Sequence, residues 1–113
     1  MITIEKLKAL GADAQEGLAR CMGNEQFYLM LIEKALSDDS VERLEEAVKQ
    51  GDLESGFEIA HSLKGVFGNL SLTPLYDAVV EITELLRNKT DTDYSTYIEK
   101  IVSIKKQFDE LIA

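Results

Sequence analysis

Residues 53–70 read Leu53-Glu54-Ser55-Gly56-Phe57-Glu58-Ile59-Ala60-His61-Ser62-Leu63-Lys64-Gly65-Val66-Phe67-Gly68-Asn69-Leu70. At roughly 100° per residue this stretch sorts into the two faces of one long helix. Leu53, Phe57, Ala60, Leu63, Phe67 and Leu70 fall on a broad apolar side and form a core stripe. His61 points well away from the centre of that stripe, and Lys64, Gly65 and Gly68 share with it a sector about 100° wide. The histidine is therefore predicted to face solvent, flanked by one cation and two residues without side chains. Each glycine inside a helix costs about 1 kcal/mol relative to alanine, so each needs a reason. For Gly56, nearer the apolar side, close helix packing is that reason. Gly65 and Gly68 lie on the exposed face, where their missing side chains are expected to clear space for a large partner to approach the imidazole.

The rest of the chain also reads as helix, because no segment shows the apolar/polar alternation bounded by hairpin turns that a strand requires. Thr3 caps a short helix carrying Ile4, Leu7 and Leu10, with Gly11 placed to end it. Asp13 with Glu16 resembles a capping box, and Gly23 closes a second short helix. Asn24 starts a third, apolar over so much of its girth (Phe27, Tyr28, Leu31, Ile32, Ala35, Leu36) that deep packing is expected. After the polar turn Ser37-Asp38-Asp39-Ser40, Asp39 with Glu42 opens a helix striped by Val41, Leu44 and Val48 and ended by Gly51-Asp52. Beyond the long helix, Thr73 as cap and Pro74 at the first position open the next, striped by Leu75, Val79, Ile82 and Leu86. The last helix carries Tyr97, Ile101, Ile104, Phe108 and Leu111. Short loops between amphipathic helices favour antiparallel neighbours. The fold class is thus all-α, an antiparallel up-and-down four-helix bundle with one or two short N-terminal helices, and residues 1–113 form one domain.

Composition narrows the function. Twelve basic against twenty-one acidic side chains leave a net charge of −9, which argues against nucleic acid or an anionic membrane surface as partner. A single cysteine, Cys21, forms no internal disulfide, and a single histidine builds no multi-histidine metal site, so no metal is expected on the chain. Glu58-Ile59-Ala60-His61 has the Glu-x-x-His spacing of di-iron bundles, but such a site needs a second copy of the motif with its own histidine. The N-terminus shows no basic region followed by an apolar one, and no run approaches the ~20 apolar residues of a membrane span. A cytoplasmic monomer is the expectation.

Ala60-His61-Ser62-Leu63-Lys64-Gly65, followed by Gly68-Asn69-Leu70, resembles the signature of histidine phosphotransfer (HPt) domains: Ala-His-x-Leu-Lys-Gly, then a small residue, Asn and Leu. The run Gly17-Leu18-Ala19-Arg20 to Gly23-Asn24, with Tyr28 and Leu31 following, is similar to the lead-in of many bacterial members, so the resemblance extends over nearly the whole chain. Two positions depart from the pattern. Ser71 stands where many members carry glycine, which affects the turn into the next helix, and Phe67 stands where relatives often have a small residue.

The resemblance implies a phosphorelay intermediate. His61 would accept a phosphoryl group from the phospho-aspartate of a receiver domain and pass it to another, without independent turnover. Lys64, one turn away, would neutralise phosphoryl oxygens. Gly65 and Gly68 would admit the partner, a receiver of a response regulator or a hybrid histidine kinase. The chain needs no cofactor of its own, since magnesium is expected only on the receiver. Glu58 can orient the imidazole by a hydrogen bond or stand as a solvated carboxylate. Asn69 is expected to hydrogen-bond near the helix end. Cys21 and Met22 either join an apolar partner-binding patch beside the histidine or belong to the core. A helical adaptor that binds a receiver or kinase without transferring phosphate is the competing function. A complete histidine kinase is excluded, because the sequence contains no nucleotide-binding glycine box.

Overall fold

The computed structural model describes residues 1–112. Its helices are α1 (Ile4–Ala9), α2 (Ala14–Arg20), α3 (Glu25–Ser37), α4 (Ser40–Lys49), α5 (Leu53–Asn69), α6 (Thr73–Arg87) and α7 (Ser95–Asp109). Most ends follow the chemistry of the sequence. The side chains of Thr3, Asp13, Asn24 and Asp52 each accept a hydrogen bond from the backbone N–H three residues on, at 3.0–3.2 Å. Gly11, Gly23 and Gly51 take the positive φ that ends α1, the α2 turn and α4. Asp39 caps α4 with Glu42 in its first turn, as expected, though without a side-chain capping bond. Asp38 Oδ1 accepts from the Ser40 N–H (2.7 Å), while Asp39 pairs with Arg43. The cap of α6 differs from expectation. Thr73 is already helical behind Leu72, and its hydroxyl turns back toward the Ser71 carbonyl at 3.4 Å.

Four helices close a ring. α4 packs on α5, α5 on α6, α6 on α7, and α7 returns to α4. This ring is the antiparallel bundle. Its interior is filled by Leu44, Ala60, Leu63, Phe67, Leu75, Val79, Ile82, Leu86, Ile101 and Phe108, and each fully buried large side chain of this kind contributes about 1.5–3 kcal/mol. Three helices precede the ring: the two short ones expected, α1 and α2, and the longer α3. α3, with 13 residues, packs on α7 and α2. Because it stands outside the ring, it covers only one stripe, Tyr28, Ile32 and Leu36. Phe27 and Met30 remain 45% and 55% exposed, so the expectation of deep packing around the helix is corrected. α7 is also turned from its expected register. Ile98, Ile101, Lys105 and Phe108 are buried, while Tyr97, Ile104 and Leu111 are only partly so. The Lys105 stem lies in the core and its ammonium emerges to meet Asp109 at 3.0 Å.

The N-terminal helices clasp one corner of the ring. The Asp13 N–H donates to the Ser71 carbonyl (2.9 Å), the Tyr28 hydroxyl to the Leu70 carbonyl (2.7 Å) and the Arg20 guanidinium to the Gly68 carbonyl (2.7 Å). All three bonds converge on the end of α5, where the regular helical ladder runs out. Burial, reinforced by Cys21, Asp13 and Glu16 nearby, pushes the Tyr28 hydroxyl up to about 12 from its ordinary 10.0. The fold thus favours the neutral phenol. That part of its stability is complete below pH 10 and is lost as pH rises toward 12. A circular-dichroism titration is expected to show alkaline unfolding in this window, and Tyr28→Phe to make its onset shallower.

Candidate functional site

α5 runs along the ring with Gly56, Ala60, Leu63 and Phe67 buried, and Phe67 is in the core as its angle requires. His61 is exposed on the opposite side. Among the described residues no hydrogen bond reaches either nitrogen of its ring. Its aromatic neighbour is Phe57, one turn earlier, with ring centroids 5.7 Å apart and planes inclined by 23°. The Arg87 guanidinium of α6 lies 5.0 Å from the centroid of that same Phe57 ring and pairs with Glu84 at 3.4 Å. Glu58 is exposed and makes no hydrogen bond to the imidazole, so the orienting bond considered for it is absent. Lys64 is half-buried, and among the described residues its ammonium forms no ion pair or hydrogen bond.

The glycines of α5 have different reasons. Gly56 is buried between α4 and α6, where an added Cβ would lie 3.4 Å from Leu86 and 3.5 Å from Val48, in line with the packing expected of it. A Cβ at Gly65 would meet nothing within 4 Å, so the surface beside His61 is open there. Gly68 is different. A Cβ would stand 3.0 Å from Cε1 and 3.1 Å from Cδ1 of Tyr76, so the glycine makes room for the partly buried ring of an α6 residue, and its carbonyl holds Arg20. The expectation that Gly68 exists to admit a partner is corrected: α6, which α5's own angles do not place, comes close enough to need it. Opposite responses follow. Gly65→Ala is expected to stabilise the domain by about 0.5–1 kcal/mol through helix propensity alone. Gly68→Ala is expected to be neutral or destabilising by about 1 kcal/mol as the Tyr76 ring gives way. Thermal melts of the two variants check the contrast.

A groove of about 560 Å³ opens beside Lys64 and Gly65, lined also by Glu16, Arg20, Gly68 and Tyr76. Arg20 is committed there to Glu16 at 2.6 Å as well as to Gly68. A second, more apolar groove of about 350 Å³ lies between α3 and α5, lined by Leu31, Ala35, Ser62, Leu63 and Val66. Val66 of this groove is exposed, and so are Phe27 and Met30 on α3, apolar surface that the sequence does not reveal because periodicity alone does not say which apolar residues of α3 are covered. Met22 is not in the core. It is 94% exposed at a positive φ, while Cys21 is half-buried against the core. Asn69 is exposed and makes no side-chain hydrogen bond among the described residues, so the structural bond expected of it is absent. Ser71, where many relatives of the resembled family carry glycine, has φ 57, the left-handed conformation that glycine adopts freely. Ser71→Gly is expected to raise stability by about 1 kcal/mol, measured by denaturant titration.

A family model described as the Hpt domain matches residues 30–113. The chain belongs to the Hpt domain family. The Hpt match begins inside α3 and takes in the whole ring, including His61, Lys64 and Gly65. It does not reach the first 29 residues, so the likeness that the Gly17–Asn24 run suggested lies outside the matched stretch, and α1 and α2 stand beside the Hpt ring as its clasp. No curated protein and no solved structure matches the chain. Membership of the family implies histidine phosphotransfer in a phosphorelay, with receiver domains of two-component systems as partners. No helix among the described residues is long and apolar enough to cross a membrane.

Proposed function

We propose that His61 is the phosphoacceptor of a phosphorelay carrier, taking a phosphoryl group from a receiver's phospho-aspartate and handing it to a second receiver. The observation that supports this most is the exposed imidazole with an uncommitted ammonium one turn away and open surface at Gly65 between them. In the forward step, the lone pair of a neutral ring nitrogen attacks phosphorus. An N–P bond forms, the acyl P–O bond breaks, and the aspartate leaves as a carboxylate. The proton on the other ring nitrogen stays, so the phosphorylated ring carries a positive charge beside the dianionic phosphoryl group. Lys64 adds a second cation where negative charge is spread over the oxygens of a loose transition state.

The receiver supplies its own magnesium and aspartate, and this chain supplies the nucleophile and its surroundings. The exposed apolar residues Phe27, Met30 and Val66 supply the docking face in this reading, with Gly65 giving clearance. The 113 residues act as one domain and as a monomeric carrier without turnover, in the cytoplasm, where the unpaired Cys21 thiol is at home. An adaptor that only binds a receiver or kinase is the competing function. The presence of both His61 and Lys64 favours transfer, since an inactive domain has no use for either.

The test is to mix the protein with a panel of phosphorylated receivers and examine the label it acquires. Acid-labile, alkali-stable phosphate on this chain, lost again to a second receiver, is the expected result. Binding of a receiver with no label transferred would favour the adaptor. Alkali-labile label would place the phosphate on a carboxylate instead.

A further inference from the structure

An exposed imidazole on a helix rotates about two side-chain torsions, yet transfer between docked proteins requires its nitrogen lone pair along one line. Docking fixes where the phosphorus arrives, so a ring that wanders spends most encounters misaligned. Hydrogen bonds are the usual means of holding such a ring, and here none reaches either nitrogen among the described residues. Glu58, the nearest candidate in sequence, is turned to solvent. What lies against the imidazole is the Phe57 ring, offset and inclined by only 23°, a favourable aromatic arrangement. Phe57 is itself only partly buried, so the core alone does not fix it. The Arg87 guanidinium, 5.0 Å from the ring centroid and tied to Glu84, supplies the second contact. The arrangement spans two helices: α5 carries the two rings and α6 carries the cation.

Resting on the phosphoacceptor reading of His61, we propose that Phe57 is a positioning residue that holds the imidazole plane for in-line transfer, and that Arg87 acts through it. Stacking fixes the ring plane and leaves two flips about the outer torsion, which has roughly two-fold preference. The search is thereby cut to a choice between two orientations. Nothing in this arrangement alters the nucleophilicity of the ring, so its effect is confined to donors whose direction of approach is fixed.

Two donors separate these cases. Phosphoramidate, small and free to approach from any side, transfers its phosphoryl group to the imidazole with ammonia as leaving group. A phosphorylated receiver approaches in one orientation only. Phe57→Leu is expected to slow single-turnover transfer from a saturating receiver about tenfold. The half-saturating receiver concentration and the phosphoramidate rate should stay within about twofold of wild type. Phe57→Tyr, which keeps the ring, should retain the wild-type rate, and Arg87→Gln should fall between. Because the chain has one histidine, its ring-proton resonances are unambiguous. Their ring-current shift should vanish in Phe57→Leu, persist in Phe57→Tyr and shrink in Arg87→Gln.

A receiver-dependent rate unchanged in folded Phe57→Leu would overturn the proposal. Equal slowing with phosphoramidate overturns it too, since the effect is then on ring reactivity. A loss confined to the half-saturating concentration makes Phe57 a docking contact instead. If no receiver labels wild type, the phosphoacceptor reading fails, and the positioning role fails with it. If wild type is labelled and Phe57→Leu is indistinguishable from it, only the positioning role fails.

Discussion

His61→Gln takes up no phosphoryl group from any receiver that labels the wild-type protein, a fall of at least a hundredfold. Glutamine matches the reach of histidine and keeps a polar tip, but its amide nitrogen shares its lone pair with the carbonyl and is not a nucleophile. No second imidazole exists to take over, because His61 is the only histidine in the chain. The fold should not respond. The His61 side chain is exposed, makes no hydrogen bond among the described residues, and has the stacking on Phe57 as its aromatic contact. Exposed substitutions of this kind stay within about 0.5 kcal/mol of neutral. A melting temperature within about 2 °C of wild type, beside complete loss of label, would assign the effect to chemistry. Wild-type levels of label on His61→Gln would sink the phosphoacceptor reading.

How far the sequence carried the structure depends on whether a feature is local to one helix. The faces of α5 could be read from residue spacing, since burial of Ala60, Leu63 and Phe67 and exposure of His61 follow from one helix meeting one core. Caps at Thr3, Asp13, Asn24 and Asp52 could be read for the same reason, each bond spanning three residues. The purpose of Gly68 could not, because it is set by Tyr76 on another helix. Arg87 beside Phe57 likewise depends on how α5 and α6 cross. Phe57 stacking on His61 was within reach, since residues four apart on a helix are neighbours. The apolar stripe alone does not reveal it, because Phe57 is only partly buried and serves both the core and the imidazole. α3 and α7 show the limit of periodicity. Both carry more apolar residues than one stripe needs, and only the packing partner decides which are covered.

Gly17→Ala is expected to destabilise the domain by about 2 kcal/mol and lower its melting temperature by roughly 8 °C. Gly17 is buried in α2, where an added Cβ would lie 2.5 Å from Cζ and 2.6 Å from Cε1 of Tyr28. Real atoms do not approach that closely, so one side must move. The Tyr28 ring has nowhere to go, being fully buried with its hydroxyl bonded to the Leu70 carbonyl at 2.7 Å. Helix α2 must therefore lift from α3, loosening the Arg20 bond to Gly68 at the same corner. Overpacking of this kind costs about 1–3 kcal/mol, and a net hydrogen bond adds about 1 kcal/mol. The gain in helix propensity from alanine, about 1 kcal/mol, opposes both. A double-mutant cycle isolates the cause. In a Tyr28→Leu background, itself destabilised, adding Gly17→Ala should be neutral or stabilising, because the ring it would strike is gone. Equal losses in both backgrounds would show that the Tyr28 contact is not responsible. His61, Lys64 and Gly65 sit on α5 inside the ring that the Hpt match covers, while Gly17 lies outside it. Well below its lowered melting temperature, Gly17→Ala should therefore accept phosphate at the wild-type rate, which separates the clasp that stabilises the corner from the ring that presents the histidine.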